Sequence, residues 1–276
     1  MAALDLFAIP GFADPFSSLS HLAGAGVFAA LSIPLVRKGV RTGQTPWRVA
    51  SLAIFAAAAV FLLAMSGVYH LLPRGGAARD VMQRLDHAAI FILIAGTFTP
   101  IHTILFRGPW RWCMLAFIWT IAALGVTLKS IFFTSTTQLM GLALYLGMGW
   151  VGLISLVAIS RRYGFRILIP MVLGGLAYTA GAVIEGAQAR PLVPGVIRAH
   201  EVFHVAVLAG LALHWKFVWS IAGICAVTTR ARKALSAGQL LSATASAEAP
   251  AGSARRTHRI MPPVAIAKFG VGTPSP

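Results

Sequence analysis

The residues best equipped for chemistry in this chain are histidines and carboxylates that fall inside long apolar runs. His200-Glu201-Val202-Phe203-His204 sets two imidazoles four residues apart, about one helical turn, so both rings leave the same face and can hold one ion. His70, at the end of another apolar run, supplies a third ring. Three such nitrogens with a water in the fourth position are the arrangement of a catalytic zinc. The same five residues also spell H-E-x-x-H, in which two histidines bind zinc and the glutamate is the general base of a metalloprotease. On that second reading the third ligand is an acidic residue on another helix, and Asp86 is the candidate.

These groups stand out because an ionisable side chain inside hydrocarbon is costly and usually faces a cavity or a partner. The chain has seven acidic residues, of which Asp86, Glu185 and Glu201 fall at or inside the ends of apolar runs. His21, His70, His87, His102, His200, His204 and His214 do the same. A lone intramembrane histidine is more often a hydrogen-bonded packing residue than a ligand, and His87, His102 and His214 are read that way. Cys113 and Cys225 have no spacing that suggests a metal site or a redox pair and are read as packing.

The elements that position these residues follow from composition. Of 276 residues, 58% are hydrophobic and 11% charged, with a mean hydropathy of +0.79. A soluble domain of that length cannot hide so much apolar surface, so lipid is the solvent for much of it. The runs are long, nearly free of charge and without polar alternation, which predicts helices rather than barrel strands. The expected fold is all-α, a seven-transmembrane helix bundle with a disordered C-terminal tail. Its spans are Leu19 to Val36, Val49 to Leu72, Leu85 to Phe106, Trp112 to Phe133, Leu139 to Ser160, Ile167 to Ala187 and His200 to Thr228.

Residues 1–18 read as an N-terminal segment, 19–233 as the membrane domain and 234–276 as a basic Ala/Ser/Pro tail too poor in apolar residues to fold. No Lys or Arg precedes the first run, so it reads as a helix of the mature protein rather than a cleaved signal. The formal charge of +16 lies largely in loops beside helix ends, where it meets anionic lipid, and no soluble basic domain points to nucleic acid. Membrane lipids are the expected partners. Gly141, Gly147 and Gly149 allow close helix packing within the bundle or between protomers, which leaves the oligomeric state unread.

With the amino terminus placed on a near side, alternation of seven spans puts His21, His70, Asp86, Glu185, His200, Glu201 and His204 toward one leaflet. Only His102 and His214 lie deeper or toward the far side. A shared site explains this clustering better than interfacial tolerance, which would populate both ends of the spans. Lys129, near the same leaflet, is the candidate partner of Glu185.

The motifs resemble the progestin and adipoQ receptor family, which includes the bacterial haemolysin III proteins. The resemblance runs from about Asp14 to Trp215. Its first motif is Asp14 with Ser20-His21 and Gly24, where Asp and Ser replace the commoner Glu and Thr. The second is Ser66-Gly67-Val68-Tyr69-His70, then Arg84-Leu85-Asp86-His87-Ala88-Ala89-Ile90 and Gly96-Thr97-Phe98-Thr99-Pro100. The third is His200-Glu201-Val202-Phe203-His204, with His214 ten residues on. The resemblance implies a multi-pass protein of a bacterial plasma membrane, with zinc on His70, His200 and His204. It also implies Asp86 contacting the metal through water, Ser66 beside the site and a likeness to ceramidase-like hydrolases.

Because the family accepts Gln at the position of Glu201, Asp86 is the better base. The mechanism this suggests has zinc lowering the pKa of a bound water toward 7 while Asp86 takes its proton, and hydroxide attacking a lipid carbonyl. Ser66 would donate a hydrogen bond to the zinc-bound oxygen or the developing oxyanion. His21 either orients a ligand through a hydrogen bond or anchors the first helix at the interface. The expected function is a zinc-dependent hydrolase of a lipid amide or ester; the alternatives are a sensor or pore-forming haemolysin with structural zinc, and an H-E-x-x-H intramembrane protease.

Orientation is contested within the sequence itself. Six basic residues flank the near side (Arg74, Arg79, Arg84, Lys129, Arg190, Arg198). Twelve flank the far side (Arg37, Lys38, Arg41, Arg48, Arg107, Arg111, Arg161, Arg162, Arg166, Arg230, Arg232, Lys233). The positive-inside rule then makes the far side cytoplasmic, whereas the family's receptors turn the amino terminus and zinc toward the cytoplasm.

Overall fold

The computed structural model describes residues 12–193 and 197–224. The tail 234–276, Cys225 and the end of the seventh expected span at Thr228 lie outside the described residues, as do 1–11. Eight α-helices follow in order: α1 Pro15–Arg41, α2 Pro46–Leu71, α3 Ala77–Leu105, α4 Pro109–Ile131, α5 Gln138–Trp150, α6 Gly152–Tyr163, α7 Ile169–Gly186 and α8 Ala199–Ile221. Because α5 and α6 together form one crossing, seven segments among the described residues are long and apolar enough to span a membrane. The chain is a multi-pass integral membrane protein.

Local chemistry sets the helix starts. Proline opens α1, α2 and α4, where its missing N–H costs nothing and its fixed φ suits the first turn. Leu72 precedes Pro73 and is held extended, which stops α2 just after His70. Gly164 ends α6 at φ 81°, a left-handed conformation that favours glycine.

Consecutive helices α1 to α4 pack side by side, α7 pairs with α8, and α8 closes against α1 and α3. α3 is the most buried crossing. Phe55, Leu63, Leu211 and Phe217 have no exposure and form the centre of the core.

Several boundaries differ from the hydropathy reading. α1 begins at Pro15 rather than Leu19, and α3 at Ala77 rather than Leu85. In α3 the first two turns carry Arg79, Asp80, Gln83 and Arg84, which hydropathy discounts but which continue the helix to the ion pairs of the interface. The fifth span is broken at Val151. Close packing at Gly147 and Gly149 is not found within the protomer, since a side chain added at either would meet nothing; Gly141 does face a neighbour, Lys129.

One close approach sets the α3–α4 contact. A Cβ on Gly125 would collide with three ring carbons of Phe91, which is 1% exposed and has nowhere to move. Gly125→Ala should therefore destabilise the bundle by about 1–3 kcal/mol, read as reduced thermal stability in detergent. An unchanged transition would mean that this contact does not govern the packing.

Candidate metal centre

The site is assembled where the end of α2 meets the start of α8. Arg198 is the extended N-cap of α8, and the Glu201 carboxylate accepts a hydrogen bond from its backbone N–H at 2.9 Å. Glu201 also accepts from the Arg198 guanidinium, Nε at 3.3 Å and NH2 at 3.1 Å. The glutamate of the H-E-x-x-H pattern is thus 2% exposed and spends its oxygens on the helix cap. This fixes the first turn of α8 and with it the direction of His200 and His204.

Three ring nitrogens converge. His70 Nε2 lies 3.2 Å from His200 Nε2, which lies 3.1 Å from His204 Nε2. Three nitrogens on a tetrahedral ion with bonds of about 2.0–2.1 Å would be about 3.3 Å apart, so the spacing fits a metal. These residues form the group of His, Cys, Asp and Glu within metal-binding distance among the described residues, and Asp86, the third ligand of a protease reading, is not in it.

The opposite ring nitrogens explain why the lone pairs point inward. His70 Nδ1 lies 3.2 Å from Asp14 Oδ2, and His200 Nδ1 lies 3.3 Å from Glu185 Oε1. An ionised carboxylate only accepts, so each Nδ1 carries the proton and each Nε2 presents a lone pair. Two lone pairs facing one another at 3.2 Å repel unless a cation or an added proton lies between them. The donor set therefore fits a metal ion, with carboxylates orienting its ligands from behind.

Asp14 is the hub of this arrangement. Its carboxylate is clamped by Arg74 and Arg79, both at 2.7 Å, and its backbone N–H donates to the His70 carbonyl at 3.0 Å. Burial alone would push the Asp14 carboxyl up, but the hydrogen bonds from His70, Arg79 and Arg74 outweigh it and hold the group far below the usual carboxylate range.

His21 is buried beside His204 rather than exposed at the interface. It is 3% exposed, its ring lies 4.0 Å from that of His204, and its Nε2 sits 3.4 Å from the His204 carbonyl. Ser66 and Asp86 line one cavity of about 510 Å³ together with His21, His200 and His204. No hydrogen bond ties Asp86 to the three histidines among the described residues. Away from this end the cavity walls are mainly apolar and include Leu93, Phe98, Ile101 and Leu156. His102 bonds Ser155 at 3.0 Å, His214 the Met171 carbonyl and His87 the Gln83 carbonyl, so all three are hydrogen-bonded within the bundle.

Sequence reasoning missed how Asp14 and Glu185 act. Asp14 was visible as part of the first motif, and Glu185 by its leaflet, but neither signal says which ring a carboxylate faces. Lys129 does not pair with Glu185: that carboxylate accepts from Gln138 Nε2 at 2.6 Å and from His200, while Lys129 donates to Thr136 Oγ1.

Residues 12–215 match the haemolysin-III-related family. The chain is 36% identical over 132 residues to "Hemolysin-3" of Bacillus cereus, a match covering 47% of this chain and 56% of that protein's length. It is 30% identical over 194 residues to the "Hemolysin-3 homolog" of Bacillus subtilis, covering 68% of this chain and 85% of the other. To "Heptahelical transmembrane protein ADIPOR2" of rice it is 31% identical over 198 residues, covering 64% and 86%.

Removing the carboxylate behind His200 isolates its part. Glu185→Ala should leave the bundle folded and weaken metal retention about 10- to 100-fold, measured by competition with a chelator of known affinity. Retention equal to wild type would show that Glu185 does not orient the ring.

Proposed function

The chain belongs to the haemolysin-III-related family, and on that premise we propose that it is a zinc-dependent hydrolase of an amide or ester bond in a membrane lipid. The observation that carries the reading is the convergence of three imidazole nitrogens, two of the rings oriented by carboxylates, at the polar end of a mainly apolar cavity. His70, His200 and His204 would hold the ion. When bound, zinc supplies Lewis-acid polarisation of a carbonyl and acidifies water at neutral pH.

The chain's own residues would do the rest. The Asp86 carboxylate, unclaimed by the helix caps and lining the cavity, would accept a proton from an attacking water and return it to the leaving group. The Ser66 hydroxyl, on the same wall, would donate to the carbonyl oxygen as negative charge develops there. Asp14 and Glu185 keep the rings of His70 and His200 in one tautomer throughout. The apolar remainder of the cavity would accept a lipid chain.

Two other functions fit less well. A protease needs Glu201 as its base, yet that carboxylate is occupied by Arg198. A pore needs a polar stripe across the bilayer, whereas the carboxylates of the described residues, Asp14, Asp80, Asp86, Glu185 and Glu201, gather at one end of the bundle.

Elemental analysis of the purified protein should find about one zinc per chain in wild type and little in His204→Ala. Asp86→Asn should retain the metal and lose hydrolysis of lipid amides or esters, and Glu201→Gln should keep both. A folded wild type without zinc, or full activity in Asp86→Asn, would overturn the mechanism.

A further inference from the structure

Lys129 is a buried amine that the proposed chemistry does not use. It lies in the last turn of α4, is 3% exposed and lines the same cavity as Asp86, Gln138, Glu185 and His200. Its Nζ donates one hydrogen bond, to Thr136 Oγ1 at 2.9 Å, and lies 5.5 Å from the centroid of the Phe133 ring. Among the described residues no carboxylate comes within ion-pair distance of it. An ammonium has three donors, so the others face the cavity without a protein acceptor.

A basic residue at a helix C-terminus is ordinarily explained by the helix dipole, but that explanation lets the long side chain reach out to water. Here it is turned inward, where an unneutralised charge is expensive. Gly141 makes the inward position available: a Cβ there would lie 3.1 Å from Nζ and 3.2 Å from Cε.

We propose that Lys129 binds an anionic oxygen group, a phosphate or a carboxylate, on the head of the amphiphile that fills this cavity. The ligand is then an acidic lipid rather than a neutral one, selected by its charge at Lys129 while its chain lies among the apolar walls. The inference rests on reading the cavity as a lipid pocket, but it concerns binding and not turnover. A chain that binds acidic amphiphiles and hydrolyses nothing would sustain it while overturning the hydrolase.

The test is calorimetric titration of the full-length protein in neutral detergent with dodecyl phosphate, dodecanoate and dodecanol. Wild type should bind at least one anionic probe about tenfold or more tighter than the alcohol, the scale of a charge-assisted hydrogen bond. Which anion is favoured identifies the head group. Lys129→Met should bind the alcohol as wild type does but lose the preference, and Lys129→Arg should keep it. Should the methionine variant fail to fold, Gly141→Ala, which crowds the amine, should lower the preference. Equal binding of the three probes by wild type, or an undiminished preference in Lys129→Met or Gly141→Ala, would overturn the proposal.

Discussion

Imidazole lone pairs cannot be left pointing at one another in a low-dielectric interior, and the near end of this bundle is organised around that constraint. With their Nδ1 protons given to Asp14 and Glu185, His70 and His200 bring unprotonated Nε2 atoms to 3.2 Å. Only a cation or an added proton relieves the repulsion. The carboxylates that create the problem also make its solution strong, because they raise the basicity of the rings and hold them in place. Asp14 in turn needs Arg74 and Arg79 to remain ionised while buried. Those contacts tie the entry to α1, the end of α2 and the start of α3 into one electrostatic unit with α8.

This coupling gives the outer turns of the helices a purpose that hydropathy does not detect. The first turns of α3 are too polar for hydrocarbon, yet Arg79 must leave that helix to reach Asp14. The first turn of α8 is likewise spent on the Arg198–Glu201 cap, which aims His200 and His204. Stability and ligand geometry therefore rest on the same side chains.

Much of this was legible in the sequence because the signals were physical. Long charge-free runs without polar alternation read as helices in a bilayer, and the turn spacing of His200 and His204 gives them a shared face. Parity of the crossings then brought His70 to the same leaflet. Other features were not legible because they depend on side-chain direction. Nothing in the linear order tells whether Glu185 faces Lys129 or His200, whether His21 looks outward or stacks on His204, or whether Glu201 points into a cavity or back at its own cap. The break at Val151 was hidden for a related reason: the glycines around it read equally well as packing residues, yet a Cβ added at Gly147 or Gly149 would meet no neighbour.

The apolar lining of the cavity changes how affinity must be understood. On the proposed function, a lipid chain entering it from the bilayer would exchange one hydrocarbon surrounding for another, and lipid tails are as apolar as leucine, so partitioning between the two would be close to neutral. The large hydrophobic gain familiar from pockets facing water would then be absent. Discrimination among such lipids, which share nearly identical tails, would then come from the few polar atoms at the histidine end. The molecule would sort its ligands by head group while remaining almost indifferent to the chain that carries them.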